Sequence, residues 1–303
     1  MTAEQRNKNL TVPEGRIDVV LDTDAYNEID DQFAIAYLLR SGDKLNTCAI
    51  YAAPFKNENS EGPADGMEKS YHEIRKLLGL MGLERDVYRG ACAFMSSETE
   101  PIPSDAARDL AARVEAYSPE HPLYVVAIGA ITNVASAILL NPRVAQNAVV
   151  VWLGGHARHF GKTDEFNMAQ DIAAARVVMG SGVPFVQLPC LGVVSEFRLS
   201  GAELAFWLAG KNPLADYLAK NTVAAAEKYA HGKPWTRVIW DVTAVAWLLN
   251  DKNRFMRARR EKTLLPTYES FYEATPQPHD MAYVYFIHRD ALMEDLIRKI
   301  TKE

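Results

Sequence analysis

The chain has 303 residues, of which 48% are apolar and 24% are charged, and its formal net charge is -6 at pH 7. This length and composition indicate a globular protein of one large or two small domains with a buried core, and they exclude wholesale disorder. The acidic balance argues against a nucleic-acid partner, because neutralising phosphates requires a surplus of lysine and arginine on some face.

The sequence predicts a soluble cytoplasmic protein with no membrane partner. Its first ten residues are polar and lack the apolar stretch of a secretory signal, and nowhere do about 18 apolar residues run together, as a membrane span requires. Cys48, Cys92 and Cys190 lie far apart without the CxxC spacing of a zinc or redox motif. Such unpaired thiols are typical of a reducing compartment.

Apolar, β-rich runs alternate with helical patterns after a polar tail at residues 1–15. Strands are predicted at residues 17–21, 46–52, 123–129, 148–155, 183–189 and 281–287. Helices are predicted at residues 29–42, 67–80, 106–117, 131–140, 171–180 and 290–300, and the stretch 200–250 is also predicted to be helical.

This alternation predicts an α/β fold with a mostly parallel central sheet flanked by helices. No linker rich in Pro, Gly or Ser divides the chain, so a single domain over residues 1–303 is expected. In open parallel sheets, ligands bind beyond the carboxyl ends of the strands. We therefore expect the functional residues to follow the predicted strands.

The strongest chemical signal is DTDAYNEIDD at residues 22–31, which joins the first predicted strand to the first helix. Five of its ten residues carry carboxylates: Asp22, Asp24, Glu28, Asp30 and Asp31. Like charges a few ångströms apart repel one another and raise each other's pKa, unless a cation or hydrogen bonds compensate them. An oxygen-seeking cation such as Ca²⁺ or Mg²⁺ suits this set of ligands.

Two other interpretations of this acidic loop remain open. Acidic residues are favoured in the first turn of a helix by capping and by the helix dipole. The segment Asp22-Thr23-Asp24 also imitates the Asp-x-Asp of haloacid-dehalogenase-type phosphatases. Tyr26 stands where those enzymes have Thr or Val, and they lack the following Asp-Asp pair.

Four motifs, spread over most of residues 17–250, resemble those of the inosine-uridine-preferring nucleoside hydrolase family. The first loop matches the family's Asp-x-Asp and Asp-Asp, although its bridge is two residues longer. The other three motifs follow in the family's order: AIGAITNVASA at 127–137, WLGGHARHFGKTDEFNMAQDIAAA at 152–175 and WDVTAVAWLL at 240–249. The resemblance implies a nucleoside hydrolase-like fold.

The resemblance also implies a Ca²⁺ ion. Carried over position by position, its ligands are Asp24, Asp31, Asp241 and the backbone carbonyl of Ile128. A Ca²⁺ shell holds six to eight oxygens, so water and substrate hydroxyls are required as well. Local sequence alone favours Asp241 as the cap of the helix that follows it, and the resemblance favours it as a ligand instead.

Glu165 and Asn167 resemble the family's ribose-contacting pair, and Asp30 would face the sugar beside the ion. The implied reaction is Ca²⁺-dependent hydrolysis of the N-glycosidic bond of a nucleoside or related N-ribosyl compound by metal-activated water. Asp24 would be the general base. Asn133 is assigned a structural role, as a cap of helix 131–140.

The departures from the family all concern the substrate pocket. Trp240 replaces the usual histidine before the late aspartate, and its indole cannot act as an acid but can stack on a base. His159 stands where the family has asparagine, and Pro54 and Phe55 stand where it has Gly-Asn. Asn27, in the lengthened loop, is a candidate substrate contact. An altered sugar or base pocket is therefore expected.

His156, His159 and His231 are candidate replacements for the missing acid, because imidazole titrates near neutrality. Two alternative functions stay open: hydrolysis of another glycosyl or phosphoryl substrate at the same ion, and metal or sugar binding without catalysis. The expected partner is a small nucleoside-like molecule, and the resemblance implies a homodimer or homotetramer.

Overall fold

The computed structural model describes residues 1–302. Its helices and strands follow in chain order: α1 (Ala3–Asn9), β1 (Ile17–Thr23), α2 (Asp30–Leu39), β2 (Leu45–Ala52), α3 (Pro63–Leu80), β3 (Val87–Arg89), α4 (Asp105–Arg113), β4 (Leu123–Ala127), α5 (Thr132–Leu140), α6 (Val144–Asn147), β5 (Ala148–Leu153), α7 (Phe166–Gln170), α8 (Ile172–Gly180), β6 (Phe185–Leu188), β7 (Arg198–Ser200), α9 (Gly201–Glu203), α10 (Pro213–Ala230), β8 (Thr236–Val238), α11 (Val242–Leu248), β9 (Met256–Lys262), β10 (Leu264–Pro266), β11 (Tyr272–Ala274), β12 (Asp280–Ile287) and α12 (Arg289–Ile300).

An eight-stranded sheet forms the centre, in the order β3-β2-β1-β4-β5-β6-β12-β9. Its neighbouring strands pair in parallel except β12 and β9, which are antiparallel. The predicted α/β fold with a mostly parallel sheet is therefore confirmed. The strand order reverses between β1 and β4, and such a reversal opens a crevice for ligands beyond the carboxyl ends of the two strands.

The sheet is covered on both faces by apolar packing. Every residue of β4, β5 and β6 is buried, as expected for parallel strands with helices on either side. All ten residues of α2 are buried as well, because this helix packs against α3, α11 and α12. Its first two residues are aspartates, so the fold carries Asp30 and Asp31 into the interior.

Several elements differ from the sequence-based expectation. The stretch predicted to be helical from 200 to 250 contains β8, which pairs with β7 in a separate two-stranded antiparallel sheet. Strand β9 was not predicted, because it lies at the sheet edge and its sequence MRARREK is charged and mostly exposed. The polar tail contains α1, which is capped by Thr2 and held by a hydrogen bond from Asn9 to the carbonyl of Pro119.

Within residues 1–302, the helices are all too short or too polar to cross a membrane.

Candidate functional site

The candidate site lies where β1 and β4 end. Asp22 of β1 pairs with Ala127 of β4, and β1 ends one residue later at Thr23, within the acidic segment 22–31. A cavity of about 300 Å³ lies there. Predicted site residues that line it are Asn27, Asp30, Asp31, Ile128, Glu165, Asn167, Trp240 and Asp241.

Three carboxylates form the tightest acidic cluster. Asp30, Asp31 and Asp241 each place an oxygen within 4.8 Å of the other two, and all three side chains are buried. Asp31 and Asp241 were predicted to bind one ion, whereas Asp30 was assigned to the sugar. The structure thus brings residues from the two ends of the predicted site together across some two hundred residues of sequence.

Asp24 lies outside this group of three and outside the cavity lining. It is buried, and neither carboxylate oxygen has a hydrogen-bond partner within residues 1–302. Its carboxylate packs against Gly129, where a Cβ atom would lie 2.9 Å from Oδ1. A larger residue at position 129 would therefore displace the carboxylate. A buried carboxylate without a partner is costly, and a bound cation would compensate it.

The pKa values of the cluster reflect burial and mutual repulsion. Burial, then the charges of Asp31 and Asp30, raises the pKa of Asp24 well above its usual range. Burial, then the charges of Asp30, Asp31 and Asp24, does the same for the pKa of Asp241. Burial also raises the pKa of Asp31 to about 6, although a hydrogen bond from Thr23 opposes this. The cluster therefore favours any ligand that carries positive charge.

Hydrogen bonds fix the acidic loop in place. The Thr23 hydroxyl donates to Asp31 Oδ1 at 2.5 Å, and the Asn27 amide donates to the Asp24 carbonyl at 2.7 Å. Asn27 in turn accepts a side-chain hydrogen bond from Asn57 at 2.5 Å. Glu28 pairs with Arg237 of β8 at 2.7 Å. The lengthened loop is thus tied to the segment that carries Asn57 and to β8.

Asn133 has a structural role different from the expected helix cap. Its Nδ2 donates to Asp22 Oδ1 at 2.7 Å and to the Ala52 carbonyl at 3.3 Å, and its Oδ1 accepts from the Ala91 amide at 2.8 Å. Helix α5 has no side-chain cap. The amide of Asn133 therefore joins the ends of β1 and β2 beneath the site, because it can donate and accept at once.

The opposite wall of the cavity is organised by the start of α7. Glu165 caps this helix and accepts hydrogen bonds from the amides of Gly155, Asn167 and Met168 at 2.8 to 3.0 Å. The Asn167 side chain donates to the carbonyls of Ile128 and Leu153 at 3.2 and 3.0 Å. These bonds leave the Asn167 Oδ1 as an acceptor and place the Ile128 carbonyl beside Asn167, one of the two residues predicted to contact ribose.

Of Trp240 and the three candidate histidines, some line the cavity and others lie on the surface away from it. Trp240 is half-buried and lines the cavity. His159 is exposed and packs on Phe160 with ring centroids 4.7 Å apart, and it lies outside the lining. His231 is exposed and bonded to Glu227 at 2.6 Å. Of the three candidate histidines, His156 alone lines the cavity among residues 1–302.

Sequence reasoning missed several residues of the lining, among them Asn57, Cys190 and Leu191. Asn57 follows the Pro54 and Phe55 that replace the family's Gly-Asn, so a polar side chain reaches the cavity from slightly further along this segment. Cys190 and Leu191 follow β6, and the rule that ligands lie beyond strand ends would have found them. Burial raises the pKa of the Cys190 thiol well above its usual range, which disfavours a nucleophilic role.

The donor set suits a hard divalent cation. The site offers carboxylates and a backbone carbonyl, which are the ligand types of Ca²⁺ and Mg²⁺. The unpartnered oxygens of Asp24 supply the structural observation that favours a cation. The residues present therefore fit the ion that the resemblance implies.

Relatives of known sequence match more than half of the chain. The non-specific ribonucleoside hydrolase RihC of Salmonella typhi is 28% identical over 254 residues, which cover 76% of this chain and 78% of that protein. An uncharacterised protein of Schizosaccharomyces pombe, C1683.06c, is 26% identical over 192 residues, covering 58% of this chain and 60% of that protein.

Solved structures share the fold. A plant nucleoside hydrolase, PpNRh1, superposes with a TM-score of 0.76 at 15% identity, covering 95% of this chain and 100% of that one. The purine-preferring ribonucleoside hydrolase of Gardnerella vaginalis gives a TM-score of 0.73 at 19% identity, covering 94% and 98%.

The family model for inosine-uridine preferring nucleoside hydrolases matches residues 19–293, which is most of the chain. This match confirms the resemblance noted in the sequence motifs and the predicted class of enzyme, a hydrolase acting on N-glycosyl bonds. The chain belongs to the inosine-uridine preferring nucleoside hydrolase family.

Proposed function

We propose that the chain is a Ca²⁺-dependent ribonucleoside hydrolase that cleaves the bond between ribose and base with water. The observation that carries this proposal is the buried, unpartnered carboxylate of Asp24 beside the cluster of Asp30, Asp31 and Asp241. The name of the Salmonella relative, a non-specific ribonucleoside hydrolase, supports a ribonucleoside substrate.

Asp24, Asp31 and Asp241 would hold the ion, together with the carbonyl of Ile128. Asp30 is assigned to the sugar because Arg237 already compensates part of its charge: this guanidinium lowers the pKa of Asp30, which burial and the charge of Glu28 raise. A cation provides the corresponding compensation for Asp24. When bound, such an ion supplies positive charge that anchors ribose hydroxyls and lowers the pKa of the attacking water.

The chain's own residues would orient the sugar and move one proton. The free Oδ1 of Asn167 would accept from a ribose hydroxyl, and Glu165 would accept through the lone-pair position that its three amide donors leave free. Asp24 would accept the proton of the attacking water. The negative potential of the cluster favours the oxocarbenium-like sugar that forms as the bond to the base breaks.

The base would stack on an aromatic side chain of the cavity. Trp240 and Phe166 both line it and offer aromatic faces, on which a purine or pyrimidine ring stacks favourably. Asn57 takes the place of the ribose contact that the family has after its second strand. Its side chain already donates a hydrogen bond to Asn27. These differences predict a base or sugar preference distinct from the common family substrates.

A panel of ribonucleosides tests the proposal. The panel consists of inosine, guanosine, adenosine, uridine and cytidine, each tested with Ca²⁺ present. At least one of them should release free base and free ribose in equal amounts. Chromatography measures the base, and a reducing-sugar assay measures the ribose. Asp241→Asn should abolish this release, and Asp251→Asn on the surface should not. Absence of base release from every nucleoside would contradict the proposed activity and favour a metal- or sugar-binding protein.

A homodimer or homotetramer remains a prediction. Three aromatic residues near α10 are candidates for an interface between subunits. Phe206 and Trp207 lie in a π-helical turn before α10 and are 70% and 47% exposed. Tyr217 instead donates its hydroxyl to the buried Glu73. The first two are therefore surface residues. Light scattering measures the assembly directly.

A further inference from the structure

His156 lines the cavity but has no role yet in the proposed reaction. It follows Gly154 and Gly155 at the end of β5 and lines the cavity with Leu191 and Trp240. The acidic cluster lines the same cavity, so a nucleoside whose ribose lies at the carboxylates has room to present its base to this histidine.

Hydrogen bonding selects one protonation state of the ring. His156 Nδ1 accepts from the backbone amide of Leu191 at 3.4 Å, which leaves the proton of the neutral imidazole on Nε2. Burial lowers the pKa of His156, although the charge of Asp164 acts in the opposite direction. At neutral pH the ring is therefore a neutral donor through Nε2.

The backbone of His156 is held from both sides. Its amide donates to the Thr163 hydroxyl at 3.2 Å, and its carbonyl accepts from the Tyr272 hydroxyl at 3.2 Å. Tyr272 is itself fixed by Gln187, whose Nε2 donates to the same hydroxyl at 2.9 Å. With its backbone held and its Nδ1 accepting from the Leu191 amide, His156 needs little reorganisation when charge develops opposite Nε2.

Breaking the bond between C1′ and the base nitrogen leaves its electron pair on the base. A hydrogen-bond donor that meets this developing negative charge therefore accelerates departure. Trp240 is assigned to stacking on the base, His159 lies outside the lining, and His231 is bound to Glu227 on the surface. His156 is the lining imidazole among residues 1–302.

We propose that His156 stabilises the departing base by donating a hydrogen bond from Nε2, an inference that rests on the proposed hydrolase activity. The electron pair of the C1′–N bond passes to the base, and the oxygen of water bonds to C1′. The water gives one proton to Asp24, which then releases it to solvent, and the departing base takes one proton from solvent, so the net reaction adds one water. His156 ends the cycle in its starting protonation state.

Two substrates with different leaving groups test this role. One is a ribonucleoside that the wild type hydrolyses, and the other is p-nitrophenyl β-D-riboside, whose phenolate leaves without help from a donor. His156→Ala should lower kcat/KM for the nucleoside by about 10²-fold and leave the p-nitrophenyl riboside nearly unchanged. His156→Gln, which keeps an N–H donor, should recover part of the loss.

His159→Ala is the matched control, since it removes an exposed imidazole three residues away. It should change neither substrate. An equal loss on both substrates in His156→Ala would assign the residue a structural role and overturn the proposal, as would no loss on the nucleoside. Failure of the wild type to cleave either substrate would instead overturn the proposed hydrolase activity, and this inference with it.

Discussion

Asp24→Asn is expected to lower kcat/KM for ribonucleoside hydrolysis by about 10³-fold. The change preserves the shape of the side chain but removes both the negative charge and the ability to take a proton from water. Asp24 is buried without a hydrogen-bond partner in the described chain, so an amide there gains no alternative contact. Initial rates of base release at saturating Ca²⁺ measure the effect.

Asp30→Asn is the control for this variant, because it removes the same charge from the same loop. Since Arg237 already compensates part of the Asp30 charge, we expect this variant to keep its affinity for Ca²⁺ and to lose mainly substrate affinity, seen as a raised KM. Asp24→Asn should instead weaken Ca²⁺ binding, measured by calorimetry. Unchanged turnover in Asp24→Asn would exclude Asp24 as the base. If Asp30→Asn weakened Ca²⁺ binding more than Asp24→Asn does, Asp30 would be the ion ligand and Asp24 the sugar contact.

Removing divalent cations is expected to destabilise the folded protein as well as to stop turnover. A ligand that binds only the native state stabilises it by about 2.7 kcal/mol at a concentration of 100 times its Kd. For a chain of this size that corresponds to a rise in Tm of roughly 5 °C. Thermal unfolding in chelator and in excess Ca²⁺ measures the difference. Asp241→Asn should lose this shift, and Asp251→Asn should retain it.

The rise in Tm that Ca²⁺ causes should be larger at higher pH. Burial raises the pKa of Asp31 from 3.8 to about 6 and that of Asp22 from 3.8 to about 7. Without a cation, the native state holds these protons more tightly than the unfolded chain does. Their contribution to stability is therefore fully present below about pH 4 and is lost as the pH rises towards 7. A bound cation favours the ionised carboxylates, so Ca²⁺ should raise Tm more at pH 8 than at pH 5. An equal shift at both values would contradict this linkage.

The parallel sheet and most of its helices were predictable from the sequence. Runs such as AVVVWL of β5 are apolar throughout because helices cover both faces of the strand, and this pattern identifies buried parallel strands. The acidic loop was equally clear, since five carboxylates in ten residues after a strand are unusual without a ligand. Strand β9 escaped prediction because edge strands expose charged side chains and lose the apolar pattern.

The arrangement of the site was less predictable, because it depends on contacts between distant segments. The sequence identified Asp30 as an acidic neighbour, yet its place within 4.8 Å of Asp31 and Asp241 follows only from the packing of α2 against α11. The network that holds His156 requires Tyr272, which comes from the unpredicted β11. Local sequence also suggested a helix cap for Asn133, whereas the fold uses its amide to join two strands.

The most direct test of the account is a crystal structure of the protein grown with Ca²⁺. We expect one ion at the carboxyl ends of β1 and β4, about 2.3–2.6 Å from oxygens of Asp24, Asp31 and Asp241 and from the carbonyl of Ile128. Asp30 should lie next to the ion and face the cavity. An ion bound elsewhere, or these carboxylates without an ion at saturating Ca²⁺, would contradict the proposal that the buried acidic cluster exists to hold a catalytic cation.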